Sequence, residues 1–244
     1  MNKIKHVYVT GDSFSFGQEL GGSDVAEEDF YIFTPYMRKT SYTGIIADKW
    51  GAEGYTNTSY NGGSNDRIHR MITNDIPRLL TEYKPEEIFV FISLTHASRR
   101  EFFQESLKNY NPFLSNYEPP KTNIPNHMLW KIYTSYFDAY QEQAQRYMIQ
   151  ILSIQSFLKS LGVGYLMTRS MHEGAKFDQA FDNLPVYLHN LIDRKTFPKM
   201  LAFAEFNNVK RLPIGKHYHP LEDGHKAWAD HLLEYMKQHN LGQI

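Results

Sequence analysis

Ser13 lies in the stretch Gly11-Asp12-Ser13-Phe14-Ser15-Phe16-Gly17, directly behind the apolar run His6-Val7-Tyr8-Val9-Thr10. The run predicts a buried parallel strand, and the glycine and aspartate predict a tight turn after it. A serine at the carboxyl end of the first strand stands where open α/β sheets place their ligands. Its hydroxyl is then exposed beside backbone N–H groups, as attack on an ester carbonyl requires. Two further clusters carry chemistry: Asn57 to Asn65, and His217 to His225. Each follows a predicted strand or precedes a predicted helix, so all three can converge at the carboxyl edge of one sheet. His217, His219 and His225 have no acidic partners at recognisable zinc spacing, so no metal is expected. Gly11 to Gly17 could cradle a phosphate, yet Gln18 follows where a phosphate loop needs lysine and a hydroxyl residue. Arg99 and Arg100 could hold a substrate carboxylate or phosphate bidentately, or pair on the surface with Glu101 or Glu105. Ser13 itself has a plain alternative as a helix cap.

In this order the clusters resemble the SGNH (GDSL-type) hydrolase superfamily. The first block is similar to Gly11-Asp12-Ser13 with Gly17, the second to Asn57, Gly62, Ser64 and Asn65, and the last to His219-Pro220 with Gly224-His225. The resemblance implies a serine hydrolase with Ser13 as nucleophile and His219 as general base, then general acid. It implies an oxyanion hole from the Ser13 N–H, the Gly62 N–H and Thr95. Asp12, Asn65 and Arg99 are the candidate substrate contacts, Asp12 also holding the turn. Two positions depart from the pattern. Ser93-Leu94-Thr95-His96 stands where the family has Gly-x-Asn-Asp, and this Thr and Arg pattern resembles that of phage and bacterial members. Lys216 occupies the position of the acid three residues before the histidine, and an ammonium cannot accept a hydrogen bond from imidazole. The triad as the family draws it is therefore incomplete. A backbone carbonyl, or an acid from elsewhere in the chain, would have to orient His219.

The elements that must position these residues follow from periodicity. A short helix is expected over 41–50 and a short strand near 55–57. A helix capped by Ser64 or Asn65 should run to about Tyr83, and the continuous apolar run Ile88 to Ile92 predicts a central strand. One long helix is expected over 128–161, then a strand at 163–167, loops and short helices over 171–208, and a last helix over 224–239. Residues 18–43 and 103–127 read as long polar loops. Alternating strands and helices predict one domain over 1–244, a three-layer α/β/α, flavodoxin-like fold with a mainly parallel sheet.

Composition narrows the function. There is no cysteine, so thiolate nucleophiles, disulfides and cysteine zinc sites are excluded. A net charge of -1 disfavours an electrostatic nucleic-acid binder. No apolar run approaches a membrane span and no signal peptide is evident, so a cytoplasmic protein is expected, with virion association compatible. Tyrosine and phenylalanine number 17 and 16, enough for stacking surfaces as well as core. The expected function is an SGNH-type esterase without cofactor, cleaving a carboxyl ester, for example an O-acetyl group on a carbohydrate. The alternatives are a degenerate binding protein on the same fold, or a lipase or thioesterase, although neither loop is apolar enough for a lipase lid.

Overall fold

Residues 3–21, 33–104, 109–114, 124–136 and 139–242 are described by the structure, a computed structural model. The strands are β1 (His6–Thr10), β2 (Gly54–Asn57), β3 (Ile88–Leu94), β4 (Arg99–Gln104), β5 (Asn109–Leu114) and β6 (Gly164–Arg169). Four of them form one parallel sheet in the order β2-β1-β3-β6. β1 and β3 are buried at every position, as central strands covered on both faces must be. The chain leaves β1 for β2 on one side and returns to β3 on the other. The carboxyl end of β1 is therefore the topological switch point, where such sheets open a crevice.

The helices are α1 (Ser13–Phe16), α2 (Pro35–Thr40), α3 (Tyr42–Trp50), α4 (Asn65–Leu79), α5 (Ile124–Tyr136), α6 (Tyr140–Ser160), α7 (Ala175–Asp182), α8 (Val186–Leu191), α9 (Phe203–Val209) and α10 (Glu222–Gln238). Successive strand residues point to opposite faces, and this alternation separates two cores. Tyr8, Val90, Ile92, Tyr165 and Met167 meet residues of α4, α6 and α7. Val7, Val9, Phe89, Phe91 and Leu166 meet residues of α3, α9 and α10. The sheet is thus the middle of three layers, as the alternation of strands and helices predicts.

Side-chain caps start the helices near the site. Ser41 accepts the Gly44 N–H at α3, and Ser64 accepts the Arg67 N–H at α4. Two expectations are corrected. The single helix over 128–161 is two helices, because Ala139 is extended at φ -96° and ψ 130° and starts α6 afresh. Tyr133 of α5 accepts a hydrogen bond from Arg100 Nε at 2.7 Å, which ties α5 to β4, whereas Ala144, Tyr147, Ile151 and Leu158 of α6 enter the sheet core. The expected loop over 103–127 is in part regular: β4 and β5 form an antiparallel hairpin. Residues 22–32, 105–108 and 115–123 of the two expected long loops lie outside the described residues.

Candidate active site

Ser13 is the first residue of α1, a single turn entered sharply from β1. Asp12 caps it, accepting the Phe14 N–H at 3.1 Å, and Gly17 ends it at φ 84°, a conformation costly to any residue with a Cβ. The turn points Ser13 Oγ at His219, whose Nε2 lies 2.8 Å away. On the other side of the ring, Nδ1 lies 3.0 Å from Glu19 Oε2. An ionised carboxylate only accepts, so Nδ1 carries the proton and donates it to Glu19, while Nε2 accepts from the Ser13 hydroxyl. Phe14 packs beside the imidazole, ring centroids 5.0 Å apart.

Glu19 is the acid that the sequence does not locate. It sits six residues after Ser13, with a backbone at φ 70° that non-glycine residues seldom adopt. Its carboxylate also accepts the His217 N–H at 2.8 Å and the His219 N–H at 3.2 Å. Burial pushes this carboxyl up, but those two N–H groups and the His219 ring outweigh it and hold it below the usual carboxylate range. Burial lowers His219, opposed by Glu19 and Asp12, and the net shift is downward. Gly215 completes the clamp: a Cβ there would stand 2.5 Å from Glu19 Cδ and Oε1. Lys216 and Tyr218 lie exposed on the same turn, away from the role that spacing assigns to Lys216. The signal for Glu19 was negative: once Lys216 is excluded, Glu19 is a carboxylate already adjacent to the nucleophile block.

The floor of the site differs from expectation. Thr95 Oγ1 donates to Asp12 Oδ2 at 2.7 Å and accepts from Arg99 Nη1 at 2.7 Å. Its one proton is engaged, so Thr95 supplies no hydroxyl donor to an oxyanion in this arrangement. Asp12 is fully buried, and Ser170 Oγ donates to the same Oδ2 at 2.7 Å. Asn65 is also buried and braces Thr95, its Oδ1 accepting the Thr95 N–H and its Nδ2 donating to the Thr95 carbonyl, both at 2.9 Å. Asp12 and Asn65 are therefore supports for the site and not surfaces for a substrate. Arg99 lies with Nη1 at 3.4 Å from both Asp12 Oδ2 and the Gly63 carbonyl, its side chain 11% exposed. Its Nε is buried without a partner among the described residues.

The loop before α4 abuts the elbow, with the Tyr60 N–H donating to the Gly11 carbonyl at 3.2 Å. Among the described residues, neither the Ser13 N–H nor the Gly62 N–H donates to a backbone carbonyl. His225 is buried at the start of α10, accepts the Tyr42 N–H at 3.2 Å and is held down to about 3 by burial, so it is a neutral structural residue. No group of three or more His, Asp or Glu side chains among the described residues could hold a metal ion.

Comparison with solved structures bears on the fold. A carbohydrate esterase whose active site displays divergent catalytic and non-catalytic binding functions is 12% identical, with a TM-score of 0.53 over 98% of this chain and 70% of that one. TesA is 14% identical, with a TM-score of 0.50 over 96% of this chain and 99% of that one. The acetylxylan esterase Axe2 from Geobacillus stearothermophilus is 16% identical, with a TM-score of 0.48 over 96% of each chain. At such identity the first two likenesses are of fold alone, and the fold is SGNH-like. No curated protein matches the chain. Residues 24–244 match the family described as a family of unknown function, DUF6071, and the chain belongs to that family.

Proposed function

We propose that this protein is a serine esterase in which Ser13, His219 and Glu19 form the catalytic triad. The observation that carries the reading is the continuous hydrogen-bonded line from Ser13 Oγ through both imidazole nitrogens to Glu19 Oε2, at 2.8 and 3.0 Å. In this reading Ser13 Oγ attacks the ester carbonyl and His219 Nε2 takes its proton. The oxyanion is received by the Ser13 and Gly62 N–H groups. His219 then protonates the departing alcohol, and water repeats the sequence to release the acid. Glu19 keeps Nδ1 protonated and steadies the imidazolium. The divergent Thr95 position leaves the oxyanion to backbone donors, beside the cationic Arg99, our candidate substrate contact.

The substrate we propose is a short acyl ester on a polar alcohol, such as an acetylated carbohydrate. Tyr218 supports this: it is 78% exposed, next to His219, and suited to lie against a sugar ring. A fold neighbour that is a carbohydrate esterase is in keeping with it. The test is intact-mass spectrometry after incubation with a small fluorophosphonate. One adduct on the unaltered protein, lost in Ser13→Ala and much slowed in His219→Ala, is expected. Absence of an adduct on folded protein would overturn the esterase in favour of a binding protein. Turnover of p-nitrophenyl palmitate in preference to the acetate would make it a lipase or thioesterase.

A further inference from the structure

A second site lies beside the outer edge of β6. There a cavity of about 1070 Å³ opens among α7, α8 and α9, and none of Ser13, Glu19 and His219 lines it. Arg169, the last residue of β6, and Arg194 both face this space. Arg169 donates to the Met200 carbonyl at 3.3 Å, and neither arginine forms an ion pair among the described residues. Burial, then the charge of Arg169, lowers the pKa of Arg194, opposed by Asp182. Two guanidinium groups thus face one cavity, and Asp182 only partly offsets their mutual repulsion.

Apart from Asp182, the carboxyls that line the cavity are engaged elsewhere. Asp178 lies 3.1 Å from His172 Nε2, and Glu205 accepts the Ala202 N–H that begins α9. Glu173 is pushed up to about 8 by burial, so it bears little charge at neutral pH. Tyr147 also lines the cavity; it is 3% exposed, and its hydroxyl has no hydrogen-bond partner among the described residues. Buried hydroxyls are nearly always satisfied, so this one points to a missing acceptor or donor. Phe177 and Phe181 stack at 5.9 Å and give the wall an aromatic surface.

We propose that this cavity binds an organic phosphate, with its phosphoryl group between Arg169 and Arg194 and its apolar or ring part against Phe177 and Phe181. A phosphate monoester carries close to two charges at neutral pH and presents several acceptors, so it neutralises both guanidiniums, whereas a carboxylate neutralises one. Tyr147 supplies a further donor to the bound group.

Calorimetric titration with phenyl phosphate tests this. Saturable binding is expected, with phenol not binding and benzoate weaker by roughly ten-fold. Arg194→Gln and Arg169→Gln should each weaken phenyl phosphate by roughly ten-fold or more, whereas Arg99→Gln should leave it unchanged. Arg194→Gln should still react with the fluorophosphonate at Ser13, which separates this site from the esterase reading. Absence of saturable binding to the unaltered protein would overturn the proposal, and so would benzoate or phenol binding as well as phenyl phosphate. Undiminished binding to Arg194→Gln with a native circular dichroism spectrum would do the same. Arg169 ends a core strand, so if Arg169→Gln does not fold, the ligand comparison and Arg194→Gln decide.

Discussion

Glu19 carries the most residue-specific consequence. Replacing it with glutamine keeps the shape but removes the negative charge and leaves one acceptor oxygen for three donors, the His219 Nδ1–H and the His217 and His219 N–H groups. Turnover of Glu19→Gln should fall on the order of 10³-fold or more, with KM little changed, in steady-state assays on an ester that the unaltered protein cleaves. The pH profile gives an independent readout. Only neutral His219 can accept the Ser13 proton, so activity rises with pH through the His219 pKa and then levels. Burial sets that midpoint below the ordinary 6.5, while Glu19 raises it. In Glu19→Gln the raising contribution is gone, so the midpoint of log kcat/KM should move to still lower pH. A midpoint that rises or stays put would mean that Glu19 does not face the working imidazole.

At the scale of elements, the site is two loops clamped together. The short α1 elbow presents Ser13 and leads into Glu19, and the turn before α10 presents His219. Glu19 joins them by accepting two backbone N–H groups of the turn. Gly215 lets the carboxylate approach, because a side chain there would overlap it. Gly215→Ala should therefore reduce turnover far more than it reduces stability: Glu19 must withdraw from the turn, while both hydrophobic layers stay intact. Stopped-assay kinetics beside a thermal melt would show this. A variant with full activity would remove Glu19 from the mechanism. Asp12 plays the matching part beneath, gathering Phe14, Thr95 and Ser170 from beyond the carboxyl ends of β1, β3 and β6, and Arg99 from the start of β4.

Across the whole molecule, the parallel sheet lies between two cores, and the carboxyl ends of β1, β3 and β6 meet at the floor of the site. No helix among the described residues is long and apolar enough to cross a membrane. The buried charges near β6 connect stability to pH. Glu173 accepts the Ala97 N–H at 2.8 Å, and its other oxygen, 3.4 Å from His96 Nδ1, is buried without a hydrogen-bond partner among the described residues. Its pKa rises from the ordinary 4.5 to about 8 on folding. Between those values the folded chain binds more protons than the unfolded one, so this group makes stability fall as pH rises, levelling above about 8. Glu173→Gln, which can still accept from Ala97, should lose less stability than the unaltered protein between about pH 5 and about pH 8 in urea titrations. An equal loss in both proteins would show that Glu173 titrates normally.

The strands β1 and β3, the cap at Ser64 and the layered fold were legible in the chain, because apolar periodicity and turn residues act over a few neighbours. Ser13 was legible as a candidate for the same reason, since it sits in a local pattern that exposes a reactive side chain at a strand end, and His219 was legible through the resemblance of His219-Pro220 and Gly224-His225 to a family block. Local pattern cannot show which groups meet across the chain. Glu19 reaches a turn about 200 residues away, and that meeting depends on how α10 packs against α3 and the sheet. Local spacing pointed to Lys216, yet the turn carries Lys216 outward and draws in an acid from beside the nucleophile. Thr95 had the right chemistry for an oxyanion donor, but it already donates its hydroxyl hydrogen bond to the buried Asp12. The break at Ala139 was hidden because helical residues continue on both sides of it, and the contacts of Tyr133 with Arg100 and Phe102 show where α5 packs. Short-range physics sets the elements, whereas long-range packing decides which carboxylate becomes a partner and which becomes a brace.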